Sequence, residues 1–234
     1  LYLSERSSFR PGATIRGGVP VIFPQFGETG ACRRHGFARN LAWSLLDHHG
    51  GADFASCTFQ LEDGDATRAL WPFRFHCELT ISIGGNRLDL ELEVENPGSE
   101  PTEFTCGLHT YLRVAEVEIA RLEGLRGARY RDRLAGRAEC VDGADAIVVG
   151  GDIDRLYFDA PATLALKERG RTVGIHAEGF PDFVVWNPWE DGSKQLEDMP
   201  LLGFRRMLCV EAAAAARPVR LYPGEAWWAR QSLV

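Results

Sequence analysis

The sequence predicts an all-β fold, a large antiparallel β-sandwich, on three observations. Residues Phe75 to Val94 alternate with a period of two about a Gly84-Gly85-Asn86 turn, which is the pattern of a half-buried hairpin. The 25 glycines and 12 prolines are spread along the chain rather than clustered, as many short strands joined by turns require. No segment has the 3.6-residue apolar period of a helix of normal length, which excludes barrels and doubly wound folds built from βα units. No linker, internal repeat or low-complexity tract divides residues 1–234, so the expectation is a single domain.

The elements follow in order. Leu1 to Leu3 precede a polar turn, and Arg16-Gly17-Gly18 leads into the short apolar run Val19-Pro20-Val21-Ile22-Phe23-Pro24. Residues 25–40, QFGETGACRRHGFARN, are polar, Gly-rich and basic, and read as a surface loop. Leu41 to Leu46 and Ala55 to Leu61 read as strands about a turn at Asp47 to Gly51, followed by the acidic connection EDGDATR. In the central hairpin Phe75, Cys77, Leu79, Ile81 and Ile83 share one face, His76, Glu78, Thr80 and Ser82 the other, so one side is covered and the other wet. In FTCGLHTYLRV, Phe104, Cys106 and Leu108 alternate with Thr105 and Gly107, giving a strand that delivers His109. Val117 to Val141 carries weak strand signals. Thr163–Lys167 and Thr172–Ala177 flank the ERGR turn, and Phe183–Trp186 runs into a Pro and Gly turn. DMPLLGFRRM is the one stretch with short helical character, and Arg206–Ala213 and Ala226–Ser232 close the series.

A formal charge of −7 argues against a nucleic-acid face or an anionic membrane as partner, while leaving room for a local basic pocket. No run approaches the roughly 18 apolar residues of a membrane span. The six cysteines, Cys32, Cys57, Cys77, Cys106, Cys140 and Cys209, are widely spaced and read mostly as reduced, buried packing residues of a cytoplasmic protein. LYLSERSSF is not a signal peptide and starts as though inside a strand, without an initiator Met. A fragment, a processed form or a missing start would each account for it.

Several residues could carry chemistry. His109 is either a proton-transfer group or a buried imidazole tied to a backbone carbonyl. The first reading gains from Glu211 in MLCVEAA, a carboxylate in an apolar run whose burial would raise its pKa and suit it to proton transfer. Arg33, Arg34 and Arg39 fall within seven positions beside His35, with Arg16 just before the preceding apolar run. Such guanidinium forks suit a phosphate-bearing small molecule, or are solvated charge. Asp154, in IDRLYF, either accepts ligand hydroxyls or pairs with Arg155 at the surface. Trp186, Trp189 and Phe180 suit a sugar-stacking surface or plain packing. A metal site from Cys106, His109 and His35 is disfavoured, because strand positions three apart point to opposite faces. No nucleotide fingerprint and no GxSxG elbow is present.

Taken in order, IRGGVPVIFPQFG, RHGFARN, FTCGLHTYLRV, DIDRLYF, VVWNPW and MLCVEAA resemble the aldose 1-epimerase superfamily, and within it the hexose-6-phosphate mutarotases, also called glucose-6-phosphate 1-epimerases. The resemblance runs over nearly the whole chain and implies a galactose mutarotase-like supersandwich, no metal or organic cofactor, and interconversion of the α and β anomers of a hexose 6-phosphate. It places the catalytic histidine on His109 and the catalytic glutamate on Glu211. Arg16 and Arg39 match substrate-contacting arginines, Asp154 the hydroxyl-binding aspartate, and His35 lies in the motif beside them. Arg34 stands where the family commonly has a substrate-contacting glutamine, which adds charge for phosphate or alters which sugar fits. The family also carries several dozen residues before the IRGG stretch, so an intact protein would be longer at its N-terminus.

Mutarotation itself needs a proton taken from the C1 hydroxyl and one delivered to the ring oxygen, with the roles reversed on closure. The expected assignment is Glu211 as base and His109 as acid in the opening step, on opposite sides of the pyranose. The expected partner is a small-molecule phosphosugar, with no obligate protein partner. A sugar-binding module without turnover, a mutarotase of unphosphorylated aldoses and a structural sandwich are the competing readings.

Overall fold

A computed structural model of the chain describes residues 1–136 and 139–234. Among them the chain forms two sheets in which every strand pairing is antiparallel. The first runs Val21–Ile22, Thr102–Leu108, Met207–Leu221, Asp182–Asn187, Ile153–Phe158, Arg129–Asp132, Glu139–Val141, and Tyr111–Arg113 adds to it beside Met207–Leu221. The second runs Ala146–Ile147, Arg121–Glu123, Thr163–Glu168, Arg171–Glu178, Ala226–Leu233, Arg87–Glu95, His76–Gly84, Phe54–Glu62, Ser44–Gly50. The fold is an all-β sandwich, as the alternation implied.

Period two decides what each sheet buries. On the first sheet, Cys106, Leu108, Phe183, Val185, Val210 and Ala212 point inward and join Leu92, Val94, Leu164, Leu166 and Ile175 of the second in one apolar cluster. Their neighbours in sequence point the other way. Opposed residues of an antiparallel pair share a face, so the registers Asp154↔Trp186, Trp186↔Cys209 and Cys209↔Tyr111 set these four side chains in one row across the outer face. Leu156↔Val184 and Val184↔Glu211 form the next row. The outer face of a four-strand stretch therefore carries the polar residues that the inner face cannot.

Several elements differ from expectation. The strand expected at Leu41–Leu46 is Ser44–Gly50, because Asp47 to Gly50 continue to pair with Thr58 to Ala55 after a register shift, and the turn moves to residues 51–53. All seven of its residues are exposed, which is why polar side chains are tolerated there. The acidic connection contains a short helix, Asp65–Arg68, and the Pro and Gly turn after Asn187 is a helix, Trp189–Lys194. Asn187 Oδ1 accepts the Trp189 N–H at its start, and Glu190 and Asp191 lie in its first turn. DMPLLGFRRM contributes only the 3-10 turn Gly203–Arg206, and the strand expected to end at Ala213 runs through Leu221. The weak signals of 117–141 resolve into Arg121–Glu123, Arg129–Asp132 and Glu139–Val141, with residues 137–138 outside the described set. Three cysteines, Cys77, Cys106 and Cys209, are buried, whereas Cys140 is exposed and Cys32 and Cys57 are half-buried.

Residues 25–40 lie on the surface only in part: 28–31 and 33–34 are exposed, as expected, while the two ends turn in. Gln25, Phe26 and His35 to Ala38 are buried, because Phe37 and Ala38 donate their N–H groups to the Phe23 carbonyl and turn the segment inward. Gly36 makes this possible. It has φ of 70°, and a Cβ there would meet the Phe23 carbonyl oxygen at 2.1 Å.

Candidate active site

On the outer face of the first sheet, under the folded-back basic loop, lies a cavity of about 230 Å³. Seven residues singled out from sequence line it, Arg16, Arg34, His35, Arg39, His109, Asp154 and Glu211, whereas Arg33 does not and donates from Nε to the Gly36 carbonyl. Trp186 lines it as well, while Trp189 packs on Phe204 at 5.3 Å and Phe180 on Trp227 at 5.4 Å. Only one of the three aromatic residues proposed for sugar stacking thus reaches the cavity, because Trp186 alone belongs to the outward parity of its strand. Cys106 points into the core, as its spacing from His109 requires.

His109 sits at the break between strands Thr102–Leu108 and Tyr111–Arg113, its N–H held by the Pro20 carbonyl at 3.0 Å. Its ring stacks on Tyr111 at 4.7 Å, with 8° between the planes, and meets the edge of Trp186 at 5.9 Å. Glu211 comes from the neighbouring strand, and its Oε1 is 3.3 Å from His109 Nδ1. The imidazole and carboxylate are therefore adjacent rather than on opposite sides of a sugar ring. Adjacency suits the chemistry, since the C1 hydroxyl and the ring oxygen are bonded to one carbon and both must be reached from one place.

Burial pushes the Glu211 carboxyl well above the usual carboxylate range, with Asp154 adding to the rise and Arg133, Arg39 and Arg34 opposing it. Burial pushes the His109 imidazolium the other way, well below its ordinary value, helped by His35, Arg39 and Arg16. Both shifts favour the uncharged forms, so the free site carries one proton on the pair, on the carboxyl rather than the imidazole. His35 is held neutral, its pKa lowered to about 2 by burial and then by Arg39, Arg34, Arg133 and Arg16. Its Nδ1 accepts the Gly27 N–H at 3.3 Å, so the ring is fixed in place.

The four arginines differ. Arg16 donates from Nε to Asp198 Oδ1 and from Nη1 to the Tyr111 hydroxyl, each at 3.1 Å. Arg133, which the sequence reading passed over inside the weak strand RYRDR, lies 3.5 Å from Asp154 Oδ1. Arg34 and Arg39 form no ion pair among the described residues, and Arg39 Nε is buried without a hydrogen-bond partner there. His109 Nδ1, Asp154 Oδ1 and Glu211 Oε2 are likewise buried and without such a partner. One donor-rich group, two acceptors and an imidazole, all unsatisfied around one cavity, match a ligand with several hydroxyls.

The donor atoms of His109, Cys209 and Glu211 lie within 4.8 Å of one another, a cluster of types that bind zinc. Cys209, two residues before Glu211 on the same face, takes the place sequence reasoning had tested with Cys106. Four guanidinium groups line the same cavity and repel a cation.

The buried carboxyl has a stability consequence. Because the folded state holds the Glu211 proton above the pH at which the unfolded chain releases it, stability falls as pH rises from the ordinary carboxylate value toward the raised one. E211Q removes this titration. Its Tm is expected to gain on the wild type as pH rises above the ordinary carboxylate value, by ~2–4 °C for each kcal/mol recovered. A Tm difference that does not change with pH in a melting series would show that Glu211 titrates normally.

Comparison with known proteins agrees with this geometry. The aldose 1-epimerase family model matches residues 3–234. A protein of Cenchrus ciliaris that carries glucose-6-phosphate 1-epimerase as a provisional name is 35% identical over 243 residues, covering 100% of this chain and 74% of that protein. One from Escherichia coli (strain K12) with the same provisional name is 34% identical over 221 residues, covering 92% of this chain and 73% of its own. The crystal structure of a provisionally named mutarotase, YeaD from Salmonella typhimurium, superposes with a TM-score of 0.92 at 29% identity, over 99% of this chain and 78% of that one.

Proposed function

The chain belongs to the aldose 1-epimerase superfamily, in its glucose-6-phosphate 1-epimerase branch, and from that premise we propose that it interconverts the α and β anomers of a hexose 6-phosphate, with glucose 6-phosphate as the preferred substrate. The observation that carries the proposal is the adjacency of His109 and Glu211, 3.3 Å apart and buried, in a cavity where Arg34 and Arg39 form no ion pair among the described residues. A neutral sugar would leave those two cations unpaired in a partly enclosed cavity. A phosphate dianion compensates both.

In the opening half-reaction the proton resting on Glu211 passes first to His109 Nδ1, 3.3 Å away; the Glu211 carboxylate then takes the C1 hydroxyl proton as the C1–O5 bond breaks, and the His109 imidazolium protonates O5. The C1 oxygen becomes the aldehyde carbonyl. Rotation about C1–C2 presents the other face of that carbonyl. On closure O5 attacks C1, returning its proton to His109 while Glu211 protonates the carbonyl oxygen, and His109 passes its proton back to Glu211, so that both residues end as they began. Trp186 gives the ring an apolar edge, and Asp154 accepts hydroxyl hydrogen bonds. The arginine field also bears on the acid. Arg39 and Arg16 oppose a positive His109, and a bound phosphate offsets them, so substrate binding raises the imidazole toward its protonated form.

The same cavity in a binding module would hold the sugar without exchange. Magnetisation-transfer NMR on glucose 6-phosphate with catalytic amounts of protein separates the two readings. Cross-peaks between anomers above the spontaneous rate are expected from the wild type. Substrate line broadening without exchange would overturn the enzymatic reading.

A further inference from the structure

Arg133 is the arginine of the cavity that the sequence did not single out. It is the first residue after strand Arg129–Asp132, and two contacts bind it to one partner. Its N–H donates to the Asp154 carbonyl at 2.9 Å, and its Nη1 lies 3.5 Å from Asp154 Oδ1. The guanidinium also packs against the basic loop, since a Cβ on Gly27 would lie 2.7 Å from Arg133 Nη2. Nearby carboxylates are otherwise engaged. Asp132 and Asp142 pair with Arg155, whose guanidinium lies over the Tyr130 ring at 4.7 Å. This leaves Asp154 and Arg133 as a pair of their own, at the edge of the site and reaching across to the loop.

We propose that Arg133 is a positioning residue for sugar recognition: its guanidinium, anchored to the Asp154 backbone and lodged against Gly27, holds the Asp154 carboxylate charged and aimed into the cavity. Asp154 stands close to Glu211 in a poorly hydrated space, where two carboxylates compete to be ionised. Burial raises the Asp154 carboxyl above the usual carboxylate range, Arg133 and then Arg34 oppose that rise, and Asp132 adds to it. Among the described residues Arg133 alone forms an ion pair with Asp154. With Arg133 gone, Asp154 takes up a proton at higher pH than before. It then presents a hydroxyl donor in place of a charged acceptor.

The kinetic arm of the test rests on the phosphosugar reading and uses R133Q, R133K, D154N and R133Q/D154N in anomer exchange of glucose 6-phosphate from pH 5.5 to 8.5. Each rate is taken relative to wild type at the same pH, since the substrate phosphate itself titrates near pH ~6. R133Q is expected to raise KM by about 10-fold or more at low pH, with a smaller change in kcat. The loss should shrink as pH rises and Asp154 ionises unaided. R133K should retain most of the wild-type KM, and the double variant should be no worse than D154N. A loss independent of pH, or a double variant in which the two losses multiply, would overturn the proposal.

A second arm does not need turnover. With 13C-labelled aspartate, assigned by D154N, the Asp154 carboxyl midpoint is expected to rise by about one unit or more in R133Q, a tenfold change in its ionisation constant. An unchanged midpoint would refute the role of Arg133 even in a protein that proved to bind another ligand. A wild type inactive on glucose 6-phosphate but showing this shift would instead refute the substrate assignment alone.

Discussion

E211Q and H109A are each expected to lower kcat for anomer exchange by ~100-fold or more, with the fold intact. The expectation rests on their setting. Both side chains are nearly inaccessible, at 1% and 5% exposure, so water cannot readily stand in for either. Adjacency makes a further demand, because a proton taken from the C1 hydroxyl is useful only if the neighbouring group delivers one to the ring oxygen. The double variant should therefore lose far less than the product of the two single losses. Steady-state exchange rates for the three variants, with melting curves as the control for folding, test this. Near wild-type exchange by either single variant would remove that residue from the chemistry, and full additivity would mean that the two act separately.

The second large effect concerns the arginines, and the structure separates two that sequence reasoning treated alike. A charged hydrogen bond to phosphate contributes ~1.5–3 kcal/mol, so R39A should lower kcat/KM for glucose 6-phosphate by ~10- to 150-fold. Glucose makes no such contact, and its slow turnover should hardly change. Arg16 differs because it also ties the Tyr111 hydroxyl to Asp198, and Tyr111 is the ring on which His109 stacks. R16A should accordingly depress both substrates, and the phosphorylated one more. Parallel losses for R39A on both sugars would indicate damaged cavity geometry, and no loss on either would move the phosphate contact elsewhere.

Much of this was legible in sequence where the information is local. Alternation at Phe75–Val94 and around His109 reports which side of a strand is buried, and that is a property of neighbouring residues. Glu211 was visible as a carboxylate in an apolar run. What sequence could not carry was pairing between distant strands. That Glu211 falls beside His109 depends on Met207–Leu221 lying between Thr102–Leu108 and Asp182–Asn187, and nothing within either segment encodes it. Arg133 was hidden for a related reason, since in RYRDR it is one of three arginines and only the pairing of Arg129–Asp132 with Ile153–Phe158 brings it to Asp154. The burial of residues 25–27 and 35–38 was missed because composition marks a polar loop as exposed, whereas Gly36 and the Phe23 carbonyl turn part of this one inward. Trp186 and Trp189 looked equivalent until a helix start at Trp189 separated them.

The central claim is that the adjacent His109 and Glu211 exchange anomers beneath an arginine-lined opening that selects a phosphorylated sugar. Its most direct test is the ratio of kcat/KM for glucose 6-phosphate to that for glucose, measured with the wild-type protein by magnetisation transfer at neutral pH and low ionic strength. Two charged hydrogen bonds of ~1.5–3 kcal/mol each predict a ratio of ~10² or more, falling as salt screens the opening. A ratio near one, unaffected by salt, would contradict it.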